Sequence, residues 1–232
     1  MTEIQGVVFD LDHTLFDRYE TFRALQTDFY NELKKYLSDD VSPRDIYIAL
    51  VNGDKNYLYK GWDNIARYVF GLGYFKAPIS EKKFKEIIFS CFGRKAIPYN
   101  FVPSMLSDLK SKGYKLGLIT NGESSLQRKK ISMLNLEDTF DEIIISGEFG
   151  EKKPHVSIFK EMSKRLSIPE NRLVYVGDHP INDIDAASKA GYKTVWIKTN
   201  GTWVKGCEKP CFELDTVEHL ADLLESLAND KA

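Results

Sequence analysis

The chain has 232 residues, 43% hydrophobic and 28% charged, which excludes a disordered polymer and allows one large domain or a core with a smaller companion. A formal net charge of −2 excludes a nucleic-acid partner held by general basicity. No apolar run approaches the roughly 20 residues that span a bilayer, so no membrane partner is expected either.

The first residues lack the basic-then-apolar order of a secretory signal. The three cysteines, Cys91, Cys207 and Cys211, are too few and too odd in number for a disulfide framework. Both features predict a cytoplasmic protein. Cys207 and Cys211 have the spacing to clip a metal or close a local disulfide, but no second Cys/His pair is near, and two ordinary thiols is the better account.

The first predicted element is a strand at Val7, Val8 and Phe9, whose unbroken apolar run suits a buried parallel strand. It leads into Asp10 and Asp12. On an extended chain alternate side chains point the same way, so both carboxylates would leave one sheet edge together. By the same alternation His13 should point to the opposite face. Like charges that close are costly without a positive neighbour. The bland account is a solvated strand end or a helix N-cap. A strand this apolar should be central, however, and central parallel strands open onto ligand crevices at their carboxyl ends, which favours a metal-assisted site.

From Phe16 to about Ile97 apolar residues recur at helical spacing, with Phe22, Leu25, Phe29, Leu33 and Tyr36 as one stripe and Phe84, Ile87, Ile88 and Cys91 as another. Weaker helices are predicted near Asp45–Val51 and Tyr57–Phe70. The block is dense in aromatics, among them Tyr19, Tyr59, Trp62, Tyr68 and Tyr74, whose usual task is helix packing. From Pro98 the pattern alternates. Helices are predicted at Pro103–Lys112, Glu123–Leu134, His155–Leu166, Asn182–Ala190 and Val217–Ala228. Strands are predicted at Tyr114–Thr120, Glu142–Ser146, Leu173–Gly177, Lys193–Ile197 and Phe212–Leu214. That alternation predicts an α/β fold: a doubly wound, mostly parallel, Rossmann-like sheet with the helical block inserted after its first strand.

The carboxyl ends of such strands share one rim. Read in order they deliver Asp10 and Asp12, then Thr120 with Asn121 and Gly122, then Lys153 before Pro154, then Asp178 and Asp183. Singly, each has a plain explanation: a turn, a solvated lysine, an N-cap, a first-turn acid. The Thr120 hydroxyl and the N–H groups of Gly122 and Glu123 would equally suit an anion at a helix start. The joint order of acids, threonine, lysine and acids is hard to reach by accident.

The stretches Phe9-Asp-Leu-Asp-His-Thr14, Ile119-Thr-Asn-Gly122, Gly150-Glu-Lys-Lys-Pro154 and Val176-Gly-Asp-His-Pro-Ile-Asn-Asp183 resemble the motifs of the haloacid dehalogenase-like (HAD) hydrolase superfamily. The matching subfamily carries a helical cap between its first and second strands. The resemblance implies a catalytic core of residues 1–15 and 97–232 and a cap of residues 16–96. Dehalogenases of the superfamily lack the second acid and need no metal, so Asp12 implies the phosphatase branch.

The chemistry agrees, because a phosphate monoester carries about two negative charges near neutral pH and repels a carboxylate nucleophile unless a cation intervenes. The resemblance implies Mg²⁺ held by Asp10, the main-chain carbonyl of Asp12, Asp178 and Asp183, which is an oxygen set of the kind this ion prefers. It also implies Asp10 as nucleophile and Asp12 as general acid and base. Thr120, Asn121 and Lys153 would bind phosphate, and Thr14 would brace the first loop. His179-Pro180 departs from the common pattern, in which a small hydroxyl residue follows the aspartate. The expected substrate is a small phosphorylated metabolite: a sugar phosphate, a phosphoglycolate-like acid or a nucleoside monophosphate. The alternatives are a phosphomutase, a 2-haloacid dehalogenase disfavoured by Asp12, and a non-catalytic binding protein on the same fold, which would be expected to lose a charged site residue.

Overall fold

The computed structural model describes residues 3–57, 60–198 and 203–229. The chain divides into two compact units, Met1–Asp17 with Pro98–Ala232, and Arg18–Ile97. It begins with β1 (Gly6–Phe9), every residue of which is buried. The strand stops there. Asp10 to Asp17 form a loop with a tight turn, in which His13 takes a left-handed φ of 66° and Phe16 bridges to both Asp12 and Pro98. The expectation that the two acids share a strand face is therefore corrected. Their directions are set by the loop, not by the pleat.

The helical unit follows as α1 (Arg18–Leu33), α2 (Pro43–Tyr57), α3 (Trp62–Phe70) and α4 (Glu81–Phe92). Helix α2 starts at a capping box, where the Ser42 N–H donates to Asp45 and the Asp45 N–H donates to the Ser42 hydroxyl. Its start lies ahead of the predicted Asp45 because that box and Pro43 at the first turn nucleate it earlier. The helix expected from Tyr57 shortens to α3, entered through Gly61 at φ 83°; Leu58 and Tyr59 lie outside the described residues. Aromatic rings cluster within this unit's apolar interior. Phe92 packs against Phe22 at 5.2 Å, Phe29 at 5.8 Å and Trp62 at 5.9 Å between centroids.

The α/β unit resumes with α5 (Val102–Ser111), β2 (Lys115–Thr120), α6 (Ser124–Met133), β3 (Glu142–Ile145), α7 (Ser146–Phe149) and α8 (Val156–Leu166). It ends with β4 (Leu173–Gly177), α9 (Ala186–Ala190), β5 (Lys193–Ile197), β6 (Phe212–Leu214) and α10 (Leu220–Asn229). Two expected helices are split: a wide turn at Pro180–Asp185 precedes α9, and a 3₁₀ turn at Val217–His219 precedes α10. The short α7 has too few residues to show a period in the sequence.

All strand pairings are parallel and the order is β3-β2-β1-β4-β5-β6. The fold is thus the doubly wound α/β sheet. The chain leaves β1 for β2 on one side and returns to β4 on the other, so the topological switch point lies beside β1, where such sheets bind ligands. Val8, Ile119, Phe159, Met162 and Tyr175 belong to one buried cluster under that rim. Among the described residues no helix is long and apolar enough to cross a membrane.

Candidate active site

Three strand ends and one loop bring the predicted residues together. Asp10 follows β1, its N–H donating to the Val176 carbonyl of β4 at 2.9 Å. Asp178 follows β4 directly, and its carbonyl accepts from the Trp196 indole N–H at 2.8 Å. Asp183 lies in the wide turn. Its carboxylate accepts from the His179 N–H at 3.0 Å and the Tyr175 hydroxyl at 3.2 Å. Ligand atoms of Asp10, Asp178 and Asp183 all lie within 4.8 Å of one another, and all three residues are buried. Gly177 makes this approach possible, since a Cβ there would meet the Asp183 carboxylate at 2.6 Å.

Lys153 enters the cluster from the loop before α8 and is 2% exposed. Its Nζ donates to Asp10 Oδ1 at 2.6 Å, Asp183 Oδ1 at 2.7 Å and the Tyr175 hydroxyl at 2.8 Å, and it lies 3.1 Å from the Ile119 carbonyl. Burial pulls the ammonium's pKa down, but Asp10 and Asp183 outweigh it and hold the group charged. For Asp10 burial acts the other way and pushes the carboxyl up; Lys153 opposes the rise, while Asp183 and Asp12 add to it. One ammonium among three carboxylates leaves negative charge that a divalent cation would balance. The donors are all carboxylate oxygens, the set Mg²⁺ prefers. The residues present fit that ion.

Asn121 does not offer its side chain to a ligand. Its amide donates to the Lys153 carbonyl and accepts from the Lys153 N–H, both at 2.9 Å, and so pins the loop that aims the lysine. The Gly122 N–H, expected to be open to an anion, donates to the Ser146 hydroxyl at 3.0 Å. Thr14 does brace the first loop, with its hydroxyl 3.3 Å from Asp10 Oδ2. His179 Nδ1 accepts from the Ile181 and Asn182 N–H groups at 3.2 and 3.1 Å, capping the wide turn. Burial lowers its pKa to about 4, which keeps the ring neutral as an acceptor must be.

Asp12 stands apart from the three-carboxylate cluster. Its oxygens accept from Lys130 Nζ at 2.8 and 3.1 Å and from Gln127 Nε2 at 3.1 Å. Gln127 also donates to the Thr120 hydroxyl, which is buried. Sequence reasoning missed Gln127, Lys130 and Tyr175. The available signal was a polar pair three residues apart on the helix after Thr120, and a hydroxyl inside an otherwise apolar strand.

The family model for haloacid dehalogenase-like hydrolases matches residues 7–197, across both the acid loop and the wide turn. The chain belongs to that family. This HAD hydrolase is 29% identical to the glyceraldehyde 3-phosphate phosphatase of Methanocaldococcus jannaschii over 98% of its own length and all of that protein's. It is 27% identical to the human (Homo sapiens) N-acylneuraminate-9-phosphatase over 98% of its length and 96% of that protein's. Its fold matches the L-2-haloacid dehalogenase of Xanthobacter autotrophicus with a TM-score of 0.71 at 17% identity, covering 96% and 98% of the two chains. The HAD fold therefore hosts more than one reaction, and the site has to distinguish them.

Proposed function

We propose that this HAD hydrolase is a Mg²⁺-dependent phosphatase that cleaves a small phosphate monoester through an aspartyl-phosphate on Asp10. The observation that carries the proposal is the division of labour among the acids: Asp10, Asp178 and Asp183 converge beside Lys153, while Asp12 is held separately by Lys130 of α6. A 2-haloacid dehalogenase has no use for that second acid. The phosphatase names of its full-length relatives support the same reaction class, and they favour a small phosphorylated metabolite of the sugar-phosphate kind.

In the proposed mechanism Asp10, Asp178, Asp183 and the main-chain carbonyl of Asp12 would hold Mg²⁺. When bound, the ion offsets the repulsion between carboxylate and phosphate and orients the two for in-line attack. Lys153, the Thr120 hydroxyl and the Asn121 backbone N–H hold the phosphoryl oxygens, with Lys153 opposing the charge that builds up in the transition state. The Asp10 carboxylate attacks phosphorus, the bond from phosphorus to the leaving oxygen breaks, and Asp12 gives that oxygen its proton. Water then attacks the aspartyl-phosphate and passes a proton to Asp12, and the bond to Asp10 breaks to release phosphate. The helical unit, residues 18–97, takes the role of the cap that selects the leaving group.

Hydrolysis of p-nitrophenyl phosphate with Mg²⁺, with a chelator, and with Mg²⁺ restored tests the proposal. Activity should vanish with the chelator and return with the ion. Asp10→Asn should lower kcat about 10⁴-fold or more. A wild type inert on every ester tried, or an Asp10→Asn protein that keeps its rate, overturns it.

A further inference from the structure

We infer that Lys130 and Gln127 are positioning residues for the proton-transfer step, acting through Asp12; the inference rests on the phosphatase proposal and deepens it. Both lie on one face of α6, three residues apart, so their side chains project together. Gln127 is 1% and Lys130 6% exposed, an unusual depth for a lysine on a helix that is otherwise polar. Lys130 Nζ spans both Asp12 oxygens and lies 5.4 Å from the centroid of the Phe16 ring. Phe16 in turn bridges back to Asp12, so the acid loop is closed on itself with the ammonium set against it. Gln127 divides its amide between Asp12 and the Thr120 hydroxyl, linking the proton-transfer group to the proposed phosphate-binding group.

This arrangement solves a problem of aim. Asp12 leaves a turn rather than a strand, so no sheet register directs it, and the Asp10 carboxylate repels it. An acid that serves first the leaving oxygen and then water must be held beside the reaction line without joining the metal cluster. Lys130 supplies the charge that draws it there. The side-chain amide of Gln127 fixes one of its two oxygens. Neither residue has to touch substrate.

Leaving-group dependence separates positioning from mere structure. The quantity to follow is kcat/KM, which reports phosphoryl transfer to Asp10 alone. Lys130→Met should lower it on the order of 10-fold or more for a poor alkyl leaving group, such as glycerol phosphate, and less than about threefold for p-nitrophenyl phosphate, which needs no proton. For the aryl ester kcat should fall with a pre-steady-state burst, because water attack on the aspartyl-phosphate still needs Asp12 as base. In an Asp12→Asn background Lys130→Met should cost nothing further. Lys130→Arg should restore much of the alkyl rate, and if Lys130→Met fails to fold, Gln127→Leu carries the same aryl–alkyl comparison. Gln127→Leu should in addition weaken inhibition by inorganic phosphate, through Thr120, whereas Lys130→Met should not. Equal losses for aryl and alkyl esters, or additive losses with Asp12→Asn, overturn the inference while leaving an active, Mg²⁺-dependent wild type in place. An inert wild type overturns the phosphatase proposal itself.

Discussion

The two units bury charge on different terms. The α/β unit places Asp10, Lys153, Asp178 and Asp183 together at the ends of apolar strands, where burial alone would disfavour every one of them. The helical unit buries mostly apolar side chains, aliphatic ones around a cluster of rings. In its buried ion pair, Arg18 with Asp54 at 3.3 Å, the Arg18 guanidinium also lies 5.1 Å from the Trp62 ring centroid. One unit spends stability to hold a charged cluster in place, and a parallel sheet paired on both sides of β1 gives it the rigidity to do so. The other gains stability from buried apolar area and ring packing. The contrast fits the proposed division, with chemistry in the first unit and choice of substrate in the second.

Four measurements break or sharpen that contrast. Phe92→Ala removes a ring in contact with Phe22, Phe29 and Trp62 and should cost about 3–5 kcal/mol. In chemical denaturation the loss should appear as an earlier transition of the helical unit, and a single transition moving as one would deny the units their independence. Gly177→Ala drives a Cβ against the Asp183 carboxylate and should lower kcat/KM on the order of 10²-fold by displacing the cluster. Circular dichroism should show the fold retained; an active Gly177→Ala enzyme would mean the cluster tolerates slack.

Labelling of Cys91 reads the helical unit. Cys91 is buried and its pKa is raised by burial to about 11, whereas Cys211 is exposed. At pH 8 a thiol reagent should modify Cys211 at once and Cys91 only as fast as the helical unit opens, a rate that Phe92→Ala should increase. Prompt labelling of Cys91 in the native protein would contradict its place in that core.

The smallest effect belongs to the α/β surface. Hydrogen bonds from Arg128 and Ser124 lower the Glu148 pKa from 4.5 to about 2. A depressed folded-state pKa means stability present above about pH 4.5 and lost as pH falls toward 2. Because the pair is part-exposed, the contribution should not exceed about 1 kcal/mol. Glu148→Gln should remove that part of the acid dependence in melting curves taken from pH 6 to 3. An unchanged slope would show that the pair contributes nothing.

The sequence by itself determined the α/β fold, because strand and helix periods alternate cleanly after Pro98, and the strands at Leu173–Gly177, Lys193–Ile197 and Phe212–Leu214 stand where their patterns place them. It also singled out Asp10, Lys153, Asp178 and Asp183, since strand order alone carries remote residues to one rim of a parallel sheet. Where each side chain points was decided only in three dimensions. Strand alternation could not aim Asp12, because the strand ends at Phe9 and a left-handed turn at His13 redirects the loop. Nor could any local pattern commit Asn121 to the Lys153 backbone or bring Lys130 to Asp12. Those contacts join residues 32 and 118 positions apart, and which partner a buried polar group finds depends on packing between elements that the linear pattern does not encode.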